Sequence, residues 1–157
     1  MKYARLTQEQ FEELHPEFIH FLAAQTIDKN EWDELKRTKP EVAEQELDVF
    51  SDLIWEGVLS RTRYLEHFSN THVFLFECFE SHIESIIIKS LRPDIDLLSQ
   101  EGLQWLNQEM FGSEVEIRLG QKNYTQERNA DIFSLIQQGA YLSGGEMYQQ
   151  LMQVIRS

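Results

Sequence analysis

At Arg63 the spacing of apolar residues changes. Before it, Phe11, Leu14, Phe18, Phe21 and Leu22, and later Leu47, Phe50, Ile54 and Val58, recur three or four residues apart, the period of an amphipathic helix. After it, residues 64–68, 72–79 and 83–89 are rich in aromatic and β-branched side chains and are joined by two short polar links, Ser69-Asn70 and Glu80-Ser81. A chain that sets a run of helices ahead of such a meander is α+β.

The helices have readable starts. Thr7-Gln8-Glu9-Gln10 is a capping box that opens a first helix running to about Gln25, which Pro16 must kink or break. Asp28 with Glu31 opens a second, burying Trp32 and Leu35 and ending on Lys36 and Arg37. Pro40 suits the first turn of a third, residues 40–59, PEVAEQELDVFSDLIWEGVL. There Val42, Leu47, Val49, Phe50, Leu53, Ile54 and Val58 share one wide face, and Glu41, Glu44, Asp48, Asp52 and Glu56 the other. Two residues break this division. Glu46 projects within the apolar face and needs a hydrogen-bonding or cationic partner, or a proton, to avoid a desolvation penalty. Trp55 projects among Glu44, Asp48 and Asp52.

In the middle strand both parities are apolar, Val73, Leu75 and Phe79 on one side and Phe74, Phe76 and Cys78 on the other. Each face therefore requires cover, by helices or by a second subunit. Arg92-Pro93-Asp94 is a turn, after which Asp96 or Ser99 caps a helix carrying Leu103, Trp105 and Leu106. Glu114, Glu116 and Arg118 then alternate with Val115, Ile117 and Leu119, the mark of an edge strand with one wet face. Thr125 begins a helix burying Ile132, Phe133 and Ile136, with Gly139 at its end, and Ser143 with Glu146 makes a capping box for the last helix. The predicted order is αααβββαβαα: three N-terminal helices, a three-stranded antiparallel meander extended by a fourth strand, and C-terminal helices. A length of 157 residues with 41% hydrophobic content suits a single globular domain, residues 1–157.

A formal charge of −13 opposes binding to phosphate backbones or anionic membranes, and residues 1–60 carry the greater share, 14 acids against 6 bases. Neither nucleic acid nor membrane is expected as a partner. The lone cysteine, Cys78, allows no internal disulfide, and no zinc-type spacing occurs, which fits a reducing compartment. The leading residues MKYARLTQEQ contain no apolar signal core and no stretch is apolar enough to span a bilayer, so we expect a cytoplasmic protein.

The stretches KYARLT, PEVAEQELDVFSDLIWEGVL, YLEHFS and SGGEMY resemble a small family of uncharacterised bacterial proteins of the Bacteroidota kind, over nearly the whole chain. The resemblance implies a bacterial cytoplasmic protein of one domain and carries over no catalytic residue.

Motifs for chemistry are sparse. There is no phosphate-cradling glycine loop, no GxSxG elbow and no HExxH. Gly144-Gly145 ahead of the last helix offers amides to an anion, with a plain helix start the simpler reading. Cys78, in mid-strand, reads as a buried, inert thiol. Glu46 is the candidate catalytic carboxylate. Glu17 and His20 stand three apart on one helix, and Asp48 and Asp52 four apart on another, so facing helices could present them to a metal ion. The second Glu-x-x-His of dinuclear sites is lacking, and neither metal nor cofactor is expected. Two functions follow. The preferred one is a non-enzymatic acidic interaction or regulatory protein that self-associates or docks on a basic protein partner through Glu44, Asp48, Asp52, Trp55 and Glu56. The alternative is a metal- or carboxylate-dependent enzyme acting on a small substrate, built on Glu46 or on the Glu17, His20, Asp48 and Asp52 group.

Overall fold

Pro16 divides the first predicted helix. Proline has no N–H for the i−4 carbonyl, and the chain breaks at Leu14 (φ −97°, ψ 19°) into α1 (Gln8–Glu13) and α2 (His15–Ala23). Thr7 makes the expected box: its Oγ1 accepts from the Gln10 amide at 3.2 Å, while Gln10 Oε1 accepts from the Thr7 amide at 2.9 Å. Asp28 caps α3 (Lys29–Thr38) by accepting from the Glu31 amide, and α4 (Pro40–Arg61) follows. The structure is a computed structural model describing Met1–Ser157, in which residues 1–60 form one compact unit and residues 61–157 another.

The first unit has an aromatic core. The Phe18 ring lies 5.0 Å from Phe50, 5.2 Å from Trp32 and 6.0 Å from Phe11, with Leu6, Leu22 and Ala43 buried beside them. The expectation for α4 needs correction here. Its covered stripe follows Ala43, Leu47, Phe50 and Ile54, whereas Val42, Val49 and Leu53 are exposed. The predicted arc was wider than one layer of helices covers, and apolar residues one position off the stripe stay outside.

In the second unit β1 (Tyr64–Phe68), β2 (His72–Cys78) and β3 (His82–Ser90) form the predicted meander, with Leu65 opposite Phe76 and Leu75 opposite Ile86. Ser99 caps α5 (Gln100–Glu109), and β4 (Val115–Asn123) then pairs with β3 as the expected edge. Next come α6 (Arg128–Gln137), β5 (Tyr141–Ser143) and α7 (Glu146–Arg156). Strand β5 is absent from the predicted order, because three residues are too few to display alternation. It pairs antiparallel with β1 and gives a sheet ordered β4-β3-β2-β1-β5, so β1 has no open edge along those residues.

Two helix starts also differ from expectation. Ser143 does not cap α7: its Oγ accepts from the Gly145 amide at 3.0 Å and donates to Glu66 at 2.7 Å, tying the sheet edge. Gly145 is the N-cap (φ 81°), and a Cβ there would lie 2.3 Å from the Tyr64 ring, so only glycine fits. Similarly, α6 starts after Glu127, and Thr125 instead donates its amide and hydroxyl to Asp131 at 2.7 and 3.1 Å.

Helices cover both sheet faces. Val73, Leu75, Ile86 and Ile88 are fully buried in one cluster with Leu106 of α5 and Tyr148, Leu151 and Met152 of α7. On the other face Leu135 of α6 borders the same cleft as Phe76 and Ile83. At the end of β2, Arg128 donates to the carbonyls of Thr62, Cys78 and Phe79, with Nε 3.0 Å from the last.

Cys78 is 1% exposed, and burial pushes its thiol up from 9.0 to about 11. Because the folded value is raised, the stabilisation from burying the neutral thiol is complete below the ordinary value and is lost as pH rises through about 11. We expect Cys78 to resist a water-soluble disulfide reagent at about pH 8 in the native protein and to react fully after denaturation. Fast native reaction, followed by absorbance, would contradict this.

Candidate functional site

Residues 2–6 run as a strap along the carboxylate stripe of α4. Asp52 accepts the backbone amides of Lys2 and Tyr3 at 2.6 and 2.8 Å. Glu56 accepts from Lys2 Nζ at 3.3 Å and from the Tyr3 hydroxyl at 2.6 Å. Arg5 donates Nε to Asp48 at 2.7 Å and a terminal nitrogen to Glu44, and these bonds hold its guanidinium pKa above the ordinary value. The Leu6 amide donates to Ser51 Oγ at 3.1 Å, and the Ser51 hydroxyl donates to the Leu47 carbonyl at 2.7 Å. Burial, then the bond to Glu56, raises the Tyr3 phenol.

The physical logic is local. Four carboxylates at i, i+4 spacing repel one another, and a segment carrying two cations and several free amides offsets that repulsion. Each ion pair is exposed and individually weak, so the strap is held by their number and by its buried end at Leu6. Glu44, Asp48, Asp52 and Glu56, read from sequence as a docking surface, are thus engaged by the chain's own residues. Lys2 and Arg5 are the only lysine or arginine residues ahead of Lys29, but nothing in the sequence says which carboxylates they meet.

The strap also walls a cleft. Arg5 and Leu6 form one side of a cavity of about 1200 Å³ whose remaining surface comes from α1, α2, α3, the loop between α2 and α3, and Leu47 of α4, with Phe11, Phe18, Ile19, Leu22 and Trp32 among its apolar residues. Its rim carries both signs, with Glu12, Asp28 and Asp33 against His15, Lys29 and Lys36. Sequence reading assigned most of these apolar residues to the core of the first two helices, where they also belong. Periodicity shows which side chains turn inward, not whether they fill the space they enclose.

The remaining sequence candidates can now be placed. Glu46 is half-buried and accepts from Gln25 Nε2 at 2.8 Å, so its partner is an amide at the end of α2. Trp55 is half-buried and packs against the aromatic cluster. Glu17 and His20 are exposed on α2, while Asp48 and Asp52 are held by the strap, and no three His, Cys, Asp or Glu side chains converge where they could hold a metal ion.

The chain is therefore an α+β protein that joins a helical unit bearing an apolar cleft to a five-stranded antiparallel sheet covered by helices. It belongs to DUF6495, a family of unknown function, whose model matches residues 1–156. No curated protein and no solved structure matches the chain. No helix is long and apolar enough to cross a membrane.

Proposed function

We propose that the chain is a binding protein and not an enzyme, and that its cleft in residues 1–60 receives an amphipathic helix of a partner protein, basic on its outer face. The observation that carries this reading is the cleft itself, about 1200 Å³ and lined mainly by Phe11, Phe18, Ile19, Leu22 and Trp32. That volume exceeds the range of roughly 300–1000 Å³ usual for small-molecule sites, and an apolar groove of this size suits a helix presenting anchors three and four residues apart. The excess of 14 acids over 6 bases in the unit favours a cationic partner and faster association at low salt. Binding is favoured over catalysis because Glu44, Glu46, Asp48, Asp52 and Glu56 are each occupied by a hydrogen bond or ion pair within the unit.

Ile19 tests the proposal without disturbing the core, since it lines the cleft yet is 48% exposed. A synthetic leucine–lysine amphipathic helix should bind saturably at low salt, and Ile19→Asp should weaken it by on the order of tenfold or more while leaving the melting temperature unchanged. Titration calorimetry reads the affinities and a thermal melt the stability. No saturable binding, or equal binding by the variant, would defeat the proposal.

A further inference from the structure

Gly120 stands in the interior of β4 without the backbone reason that usually calls for glycine. Its φ is not positive, unlike those of Gly139 and Gly145, and it lies within the β3–β4 ladder and not in a turn. Glycine weakens a strand, and in such a position it often marks the close approach of another group. Gly120 pairs in register with Ser85 of β3, which pairs with Phe76 of β2, so the three share one face of the sheet. A Cβ on residue 120 would lie 2.7 Å from Ser85 Oγ. The small pair leaves a cleft of about 370 Å³ between the sheet and α6.

The chemistry of this cleft is specific. Phe76 and Ile83 line it from the sheet and Leu135 from α6. Lys122, two residues beyond Gly120 on the same face and opposite Ile83, also lines it. Neither the Lys122 ammonium nor the Ser85 hydroxyl has a hydrogen-bond or ion-pair partner within the chain. The neighbouring Asp131 is already occupied by Thr125 and keeps one negative charge at the wall. One free cation and one free hydroxyl beside an apolar surface match a single carboxylate carrying a compact apolar body. A dianion would meet Asp131 with only one cation to offset it.

We infer that the α6–sheet cleft is a binding site for a small monocarboxylate with an aromatic or branched aliphatic body. The carboxylate pairs with Lys122 Nζ and accepts from the Ser85 hydroxyl, and the body rests on Phe76, Ile83 and Leu135. Gly120 provides the room. This site is separate in residues and in chemistry from the cleft of residues 1–60.

The test is an amide-resolved NMR titration of the full chain with phenylacetate, isovalerate, phenylacetamide and phenyl phosphate. Saturable shifts at Ser85, Gly120 and Lys122 are expected with at least one carboxylate, and phenylacetamide and phenyl phosphate should bind more weakly than phenylacetate, the amide by on the order of tenfold. Lys122→Met should lower carboxylate affinity by about tenfold at unchanged melting temperature, since this side chain is exposed and unpaired. Gly120→Val should abolish the shifts by filling the cleft, and Lys122→Met remains decisive if that variant folds poorly. Absence of saturation with both carboxylates, equal binding of the amide or the phosphate, or an unaffected Lys122→Met would overturn the assignment.

Discussion

Phe50→Ala should destabilise the helical unit by about 3–5 kcal/mol, the usual cost of removing a buried aromatic ring together with the cavity it leaves. Phe50 is 2% exposed, and its ring stands 5.0 Å from Phe18, 5.4 Å from Phe21 and 6.0 Å from Phe11. It thus brings α4 into ring contact with both α1 and α2. Thermal melts of the full chain followed by far-ultraviolet circular dichroism should show a markedly lower midpoint. Phe50→Leu, which keeps much of the volume, should cost about 1–2 kcal/mol. A loss below about 1 kcal/mol for the alanine variant would mean that the aromatic cluster does not hold the unit together.

The second large effect lies at Arg128. Three backbone carbonyls, those of Thr62, Cys78 and Phe79, converge on its guanidinium, and the Tyr124 hydroxyl reaches the Phe79 carbonyl as well, at 2.7 Å. Burial pushes the Tyr124 phenol up to about 12, so it remains a donor at neutral pH. A planar fork can serve three acceptors at once, whereas an ammonium on a flexible stem cannot reproduce that geometry. Arg128→Lys should therefore lose about 2–3 kcal/mol, close to the loss for Arg128→Met, because charged hydrogen bonds to buried carbonyls are involved in both cases. Urea unfolding measures the difference. A lysine variant as stable as the parent would show that charge alone, without the fork, satisfies these carbonyls.

The fold was legible at most places where the cause was local, the helix starts expected at Thr125 and Ser143 being the exceptions. Thr7, Asp28 and Ser99 are caps because of side-chain bonds to amides three residues on, and each starts a helix where its chemistry says. Likewise, the limits of the three meander strands differ from the structure by one residue at most, since alternation is a property of each strand alone, whereas β4 runs to Asn123, four residues past the alternation that revealed it. Long-range causes were not legible. A row of carboxylates reads the same whether water or another segment lies against it, so the strap on Glu44, Asp48, Asp52 and Glu56 could not be told from a solvated face. Glu46 accepts from Gln25, 21 residues earlier, and nothing nearby in sequence points to that partner. The short β5 exists because β1 presents an edge, and Arg128 matters because three carbonyls meet it. The small Gly120–Ser85 pair is a fact of strand register, visible only once β3 and β4 are aligned.

The strap imposes an order on synthesis. Tyr3 and the Glu56 carboxylate that it bonds are 53 positions apart, so residues 2–6 leave the ribosome well before the helix that fastens them. At about 5–20 residues per second the interval is a few seconds, during which Leu6, Phe11 and Phe18 have no α4 to pack against. The nascent chain thus presents the apolar residues of α1 and α2 before α4 exists to cover them, a window in which chaperones and premature self-contact compete for the same residues.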